Sequence, residues 1–305
     1  MSEQLGNYHL LDPLGPGSLG PTYRARDAVA GRTVLVEEVS ALIGRDPLVR
    51  KRFAADAEAA QALSHPNVLQ LYELGTAGDR AFLVSEYATG KPLRSETEGQ
   101  GLEPRQAVEL GVQLADALSA CHGLGLNYLD LTPDRVTLST RGHAKLSGAG
   151  LSAWRLRAAK RDGADPTPVG PCLSPEQRQG DAGDHRSDLF ALGVLLYRAL
   201  VGRDPPSDGS GLRPADTVAG VPAELDRIVA RVTAESPDER HQSALSLGAE
   251  LRSVGAVLDV RSGDRSPPTT VTSATSAQDE GTRATGWLLG GVGGAVALLL
   301  WWLFG

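Results

Sequence analysis

Lysine is almost missing from this chain. Lys51, Lys91, Lys145 and Lys160 stand against 26 arginines, so any chemistry that depends on an ε-ammonium has few candidates. Cysteine is scarcer still. Cys121 and Cys172 lie far apart and without metal-ligand spacing, which excludes a disulfide framework and a zinc site and fits a reducing compartment. No basic stripe occurs either: the net charge is −7, with acids and bases interspersed, so nucleic acid is not an expected partner. The opening MSEQLGNYHLLDPLG has no basic segment followed by an apolar run, and no secretory signal is expected. No internal repeat period is visible.

What is present is a chain of 305 residues, 41% of them hydrophobic, enough to bury one large core or two unequal lobes. Residues 8–86 read as short alternating strands, YHLLDPLG, PTYRARD, RTVLVEEV, VLQLYELG and RAFLVSEY, parted by glycine or aspartate turns. One helix, within DPLVRKRFAADAEAAQALSHP, interrupts them and stops at the His65-Pro66 breaker. After the joint YATGKPL, residues 87–258 turn helical, with PRQAVELGVQLADALSACHGLG, RSDLFALGVLLYRALVGR, AELDRIVARVTA and SALSLGAELRSV. The fold class expected is α+β in two lobes.

The remainder differs in kind. Residues 259–285 are rich in Ser, Thr and small side chains, lack apolar periodicity and read as a linker. Trp287 to Phe304, WLLGGVGGAVALLLWWLF, carries no charge and at about 1.5 Å per residue spans roughly 27 Å, close to a bilayer core. Residues 286–304 are therefore expected to form a transmembrane helix with interfacial Trp287, Trp301 and Trp302. Arg283 before the span places the body in the cytoplasm and the chain in the inner (cytoplasmic) membrane, single-pass. Gly286, Gly290 and Gly294 share one helix face and could bring two copies together.

Residues 15–20, GPGSLG, fit G-x-G-x-x-G between two strands, where bare backbone can approach phosphates. A plain hairpin turn fits those residues equally well. The order of later pieces is more specific: LSHPNVLQLYELG, FLVSEYATGKPL, LNYLDLTPDRVTLS, AKLSGAGLS, LSPEQ, RSDLFALGVLLYRALVGRDPP and SPDERHQSA. Over about 250 residues the chain resembles the bacterial serine/threonine protein kinases of eukaryotic type. The resemblance implies a β-rich N-lobe with one main helix, a larger helical C-lobe, and a nucleotide cleft between them. The cleft's family positions fall on Gly15, Gly17, Gly20, Thr22, Leu35, Glu37, Glu86 and Ala88.

Carried over residue by residue, the resemblance also implies losses. The family's Asp-Phe-Gly falls on Gly148-Ala149-Gly150, and the missing aspartate is the one that holds magnesium. His-Arg-Asp falls on Tyr128-Leu129-Asp130, leaving Asp130 in the base position, while the metal-binding asparagine is Arg135. Asp130 could equally be a mere partner of Arg135. The phosphate-binding lysine is Glu37, and the helix glutamate that would pair with it is Asp56, so these two acids are expected to repel. Neither Lys51 nor Lys91 is placed to substitute. Leu35, Thr22 and Thr137 replace an alanine, a valine and a leucine around the adenine, and Val169–Gln177 is shorter than the family's peptide platform. Three matches are structural: Glu176 with Arg240 as a buried ion pair, and Asp188 bracing the catalytic loop.

The reading is a membrane-anchored pseudokinase that serves as scaffold or allosteric partner to another protein, such as an active kinase or its substrate. No cofactor and no metal are expected. The alternatives are a weakly active kinase using Asp130 with ATP and Mg2+, and a sensor that binds nucleotide without transferring phosphate.

Overall fold

The computed structural model describes residues 3–41, 43, 46–148, 150–151, 154, 170–206 and 209–262. Six antiparallel strands form the first sheet: β1 (Gln4–Leu5), β2 (Tyr8–Pro16), β3 (Pro21–Asp27), β4 (Thr33–Glu38), β5 (Leu71–Ala77) and β6 (Arg80–Glu86), in the order β1-β2-β3-β4-β6-β5. The period of two decides what each face does. On β4, Val34 and Val36 enter a core with Tyr8, Leu10, Ala25, Phe82 and Val84, which leaves Leu35 and Glu37 on the opposite face. Register fixes their level, with Glu37 opposite Leu83 and Leu35 opposite Ser85.

Helix α1 (Pro47–Ala62) packs on the sheet. Asp46 caps it, accepting from Leu48 N at 2.7 Å and Val49 N at 3.2 Å, and Pro47 supplies the preset φ of a first turn. Its buried stripe is Val49, Phe53, Ala54, Ala57 and Ala60. The expected strand at residues 68–75 starts later than its apolar pattern, at Leu71, because Val68 is spent on a bridge to Leu146 in the second lobe.

The second lobe opens with β7 (Lys91–Pro92) and α2 (Leu93–Glu96), then α3 (Pro104–Gly123). Strands β8 (Val136–Leu138) and β9 (Ala144–Leu146) join β7 in a three-stranded sheet. The short α4 (Pro175–Arg178) precedes α5 (His185–Val201), which is buried on nearly every side and, after its polar first turn, reads as almost wholly apolar with Arg198 the one charge. Asp184 caps α5 and Gly202, at φ 80°, ends it. Helices α6 (Ala223–Val232) and α7 (Ala244–Ser262) complete the lobe. One core runs from Leu19, Ile43 and Phe53 through Leu114 and Leu118 to Leu192, Ile228 and Leu251. Cys121 and Cys172 are both buried in it, and burial pushes each thiol up to about 12.

Helix α7 continues into residues expected to begin the linker. Ion pairs from Arg105 to Asp259 at 2.5 Å and from Arg261 to Glu224 at 2.9 Å fasten its last turns. No helix among the described residues is long and apolar enough to cross a membrane. The rest of the linker and the segment carrying Gly286, Gly290 and Gly294 lie outside the described residues.

Candidate functional site

A cavity of about 360 Å³ lies between the first sheet and the helical lobe. The sheet contributes Gly17, Thr22, Leu35 and Glu37, the joint Glu86 and Ala88, and the second lobe Arg135, Thr137 and Gly148. Residues singled out in the sequence from both lobes are thus brought together. Gly15 and Gly20 hold the neighbouring turn. Asp130 instead lines a second cavity of about 280 Å³ with Leu129, Thr132 and Cys172.

The glycine-rich turn is folded inward. Gly17 N donates to Gly20 O at 2.7 Å, and Gly15 sits at φ 103°. Leu19, at the tip, is only 1% exposed and joins Ile43 and Phe53 in the core. Burying such a side chain is worth about 2 kcal/mol, which holds the tip down. With the tip lowered, Leu19 N donates to Glu37 Oε1 at 2.7 Å, and the neighbouring amides of Ser18 and Gly20 also favour the charged form of that carboxyl. Gly17 is required by this approach: a Cβ there would overlap both Glu37 Oε1 and Thr22 Oγ1. Burial pushes the Glu37 carboxyl above its ordinary range, against the opposing pull of these amides and of the Arg135 charge.

The expected repulsion between Glu37 and Asp56 is relieved by giving each acid its own donor. Asp56 accepts from Trp154 Nε1 at 2.9 Å, and the Trp154 ring meets Phe53 edge-on at 5.9 Å between centroids. A tryptophan after Gly148-Ala149-Gly150 therefore anchors α1 where the family uses a lysine. Lys145 does not substitute for that lysine. Its Nζ lies 2.6 and 2.7 Å from the two carboxylate oxygens of Glu86 and steadies the joint.

Around the catalytic-loop position, Arg135 Nη2 donates to Asp130 Oδ2 at 2.9 Å. Both side chains are about one-fifth exposed. Next to them Asp134 is bound by Arg94, which also reaches Asp204 at 2.9 Å. Gly148 has no side chain to offer, and no group of three His, Cys, Asp or Glu able to hold a metal occurs among the described residues. The donor set therefore does not fit magnesium: a guanidinium and a bare backbone occupy the two places where oxygen ligands are needed.

Below this floor stand the structural matches. Arg240 binds both carboxylate oxygens of Glu176 at 2.8 Å. Asp188 accepts from Tyr128 N at 2.9 Å and Leu129 N at 2.6 Å. Leu19 and Trp154 are the functional contacts that residue-by-residue reading misses. Leu19 is an apolar residue inside a motif read as bare backbone, and Trp154 finds Asp56 across 98 positions of sequence.

Comparison with known proteins gives one consistent picture. The protein kinase domain family model matches residues 8–250. The serine/threonine-protein kinase PknB of Mycobacterium leprae (strain TN) is 31% identical over 263 residues, 80% of this chain and 42% of that protein. PrkC of Bacillus subtilis (strain 168), also a serine/threonine-protein kinase, is 26% identical over 260 residues, 81% of this chain and 40% of that protein. The chain spans about two fifths of the length of these curated relatives. Among solved structures, the Mycobacterium tuberculosis PknI kinase domain superposes with a TM-score of 0.66 at 22% identity, over 83% of this chain and 98% of that one, a likeness of fold.

Proposed function

Since this chain belongs to the protein kinase domain family, we propose that it is a degenerate member, a pseudokinase that acts as scaffold or allosteric partner without transferring phosphate. The observation that carries the reading is that the Glu37 carboxylate, in place of a phosphate, takes the Leu19 amide of the glycine-rich turn, with Arg135 neutralising Asp130 beside it. A general base must accept a substrate proton, and a carboxylate held by a guanidinium is a poorer acceptor. Glu37, Arg135 and Gly148 each remove a separate contribution to transition-state stabilisation, about 10²-fold or more apiece. The scaffold pieces Glu176, Arg240 and Asp188 meanwhile stay paired. Shape is retained where chemistry is not.

Incubating the full chain with radiolabelled ATP, magnesium or manganese, and a basic protein substrate is expected to give no label above background, and Asp130→Asn no change. Label that appears and is abolished by Asp130→Asn identifies a working kinase and overturns the reading.

The lobes meet at the joint after Glu86, and residues 286–304 anchor the body to the cytoplasmic face of the inner membrane, where Gly286, Gly290 and Gly294 favour a second copy. The partner is a protein reached at that surface, an active kinase or its substrate. Deleting residues 286–305 is expected to move the protein from the membrane to the soluble fraction; a truncated chain that still sediments with membranes contradicts the anchor.

A further inference from the structure

We propose that the exposed side of α7 is a contact face for a second copy of this chain, the two helices lying with their Ser262 ends together beside one membrane. The inference rests on the anchored reading of residues 286–304 and goes beyond it by assigning a surface of the folded body to the pairing.

The first observation is where the charges of α7 go. A surface helix ordinarily buries one apolar stripe and turns charged side chains to water. Helix α6 does this, with Leu225, Ile228 and Val229 buried and Arg227 and Arg231 exposed. Helix α7 does not. It carries four charges, and each is paired with a group on the lobe: Glu250 with His241 at 2.7 Å, Arg252 with Asp116, Asp259 with Arg105, and Arg261 with Glu224. Leu247, Leu251 and Val254 fill the buried side. The side left to water holds Leu245, Ala249, Ser253, Ala256, Val257 and Val260. At about 3.6 residues per turn these six share one third of the helix circumference, an uncharged strip along its whole length. Leu245 is 64% exposed and Val260 83%. An isolated exposed apolar residue needs no explanation, but a helix apolar on both sides is one that is covered on both.

The occupant follows from charge and from where the chain goes next. With a net charge of −7, two copies repel over most of their surfaces. They approach at least cost through an uncharged strip whose neighbouring charges are already neutralised. An identical strip is also self-complementary, which two-fold pairing requires. Beyond Ser262, residues 263–285 separate α7 from the apolar span at 286–304, and a linker of that length reaches roughly 25–30 Å. Two copies joined through Gly286, Gly290 and Gly294 therefore hold their α7 faces at an effective concentration on the order of millimolar. Both enter one membrane from their Ser262 ends, which sets Val260 opposite Val260. One helix face is smaller than the roughly 800 Å² per partner of a stable independent interface, so the contact belongs to tethered chains and not to free bodies.

Site-directed crosslinking tests this. The full chain in phosphatidylcholine vesicles, at high lipid-to-protein ratio, carries Val260→Cys, or Val29→Cys on the turn between β3 and β4 as a control of comparable exposure, 79%. Cys121 and Cys172 are buried and stay in place. Under a mild oxidant Val260→Cys is expected to form disulfide-linked dimers at least about tenfold faster than Val29→Cys. Adding Val257→Glu sets like charges across the pair and is expected to slow that reaction at least about tenfold with the urea midpoint unchanged. Equal rates at the two cysteines overturn the proposal, as does a folded Val257→Glu chain that crosslinks as fast; should that variant not fold, the comparison of Val260→Cys with Val29→Cys alone decides. A Val260→Cys chain that stays monomeric yet is shielded from a soluble maleimide means that lipid or the chain's own residues 286–304 cover the face, which also overturns the pairing. Failure here is separable from failure of the anchor: a chain that sediments with the vesicles but does not crosslink overturns only the α7 contact, and one that does not associate with them overturns both.

Discussion

Arg240→Ala is expected to lower the stability of the kinase-like body by about 3–5 kcal/mol, the range for removing one member of a buried ion pair. The Arg240 side chain is fully buried. Besides both oxygens of Glu176 it reaches the carbonyls of Ala234 at 2.9 Å, Glu235 at 3.0 Å and Arg186 at 3.2 Å, and its guanidinium carbon lies 4.9 Å from the Phe190 ring centroid. Without it Glu176, 15% exposed, keeps the Ser187 hydroxyl at 2.6 Å and loses its counter-charge. The two ends of α5 and α6 that meet at this guanidinium lose their common tie.

The same pair sets a pH dependence. Burial alone would raise the Glu176 carboxyl, but the hydrogen bonds from Arg240 and Ser187 outweigh it and hold the group down at about 2. A carboxyl lowered on folding contributes stability that is complete above its unfolded value near 4.5 and is lost as pH falls towards 2. At about 1.4 kcal/mol per unit, the contribution is about 3 kcal/mol. Urea unfolding of wild type and Arg240→Ala at neutral pH and near pH 3 checks both numbers, since the gap between them should narrow in acid. A gap of equal size at both pH values would show that the pair is not the source of the loss.

How far the sequence reveals this molecule depends on the separation of the residues involved. Strand β3 is legible to the residue, and the N-terminus of α1 is legible from Asp46-Pro47, because alternation and capping act between near neighbours. The two-residue β1 is too short to carry a period, and α7 outruns its apolar pattern because ion pairs to α3 and α6 extend it. Glu176 with Arg240, and Asp188 beneath the loop, are legible through the family resemblance alone, since nothing local in the chain links residues 64 positions apart. The replacements at Glu37, Arg135 and Gly148 are legible as losses. What each acid does instead is not, because Glu37 meets the loop through the buried Leu19 and Asp56 meets Trp154 through tertiary packing. A charge reversal read in isolation predicts repulsion; the fold supplies a donor for each charge.

Asp188→Ala is expected to cost about 3 kcal/mol or more, because it orphans two consecutive buried amides, each worth about 1–3 kcal/mol when unsatisfied. Asp188 is fully buried, and both its oxygens are engaged: Oδ1 by Leu129 N, Oδ2 by Tyr128 N and by His122 Nε2 at 2.9 Å. Asp188→Asn should be little better, since whichever way the amide turns its NH2 must face a donor. The local backbone makes the site more demanding still. Leu129 has φ 56°, the one positive value outside glycine among the described residues, a conformation that costs on the order of 1 kcal/mol or more for a branched side chain. It persists because its peptides are gripped on both sides, the amide by Asp188 and the carbonyl by Gln177 Nε2 at 2.9 Å. Release of one grip lets Leu129 relax to negative φ and swings the next residue, Asp130, away from Arg135. Hydrogen exchange should therefore accelerate at Tyr128 and Leu129 beyond the global change in Asp188→Ala, while in Arg240→Ala these amides follow the global change. Protection at Tyr128 and Leu129 that only tracks global stability in both variants would mean that Asp188 supports the lobe as a whole and not the loop above it.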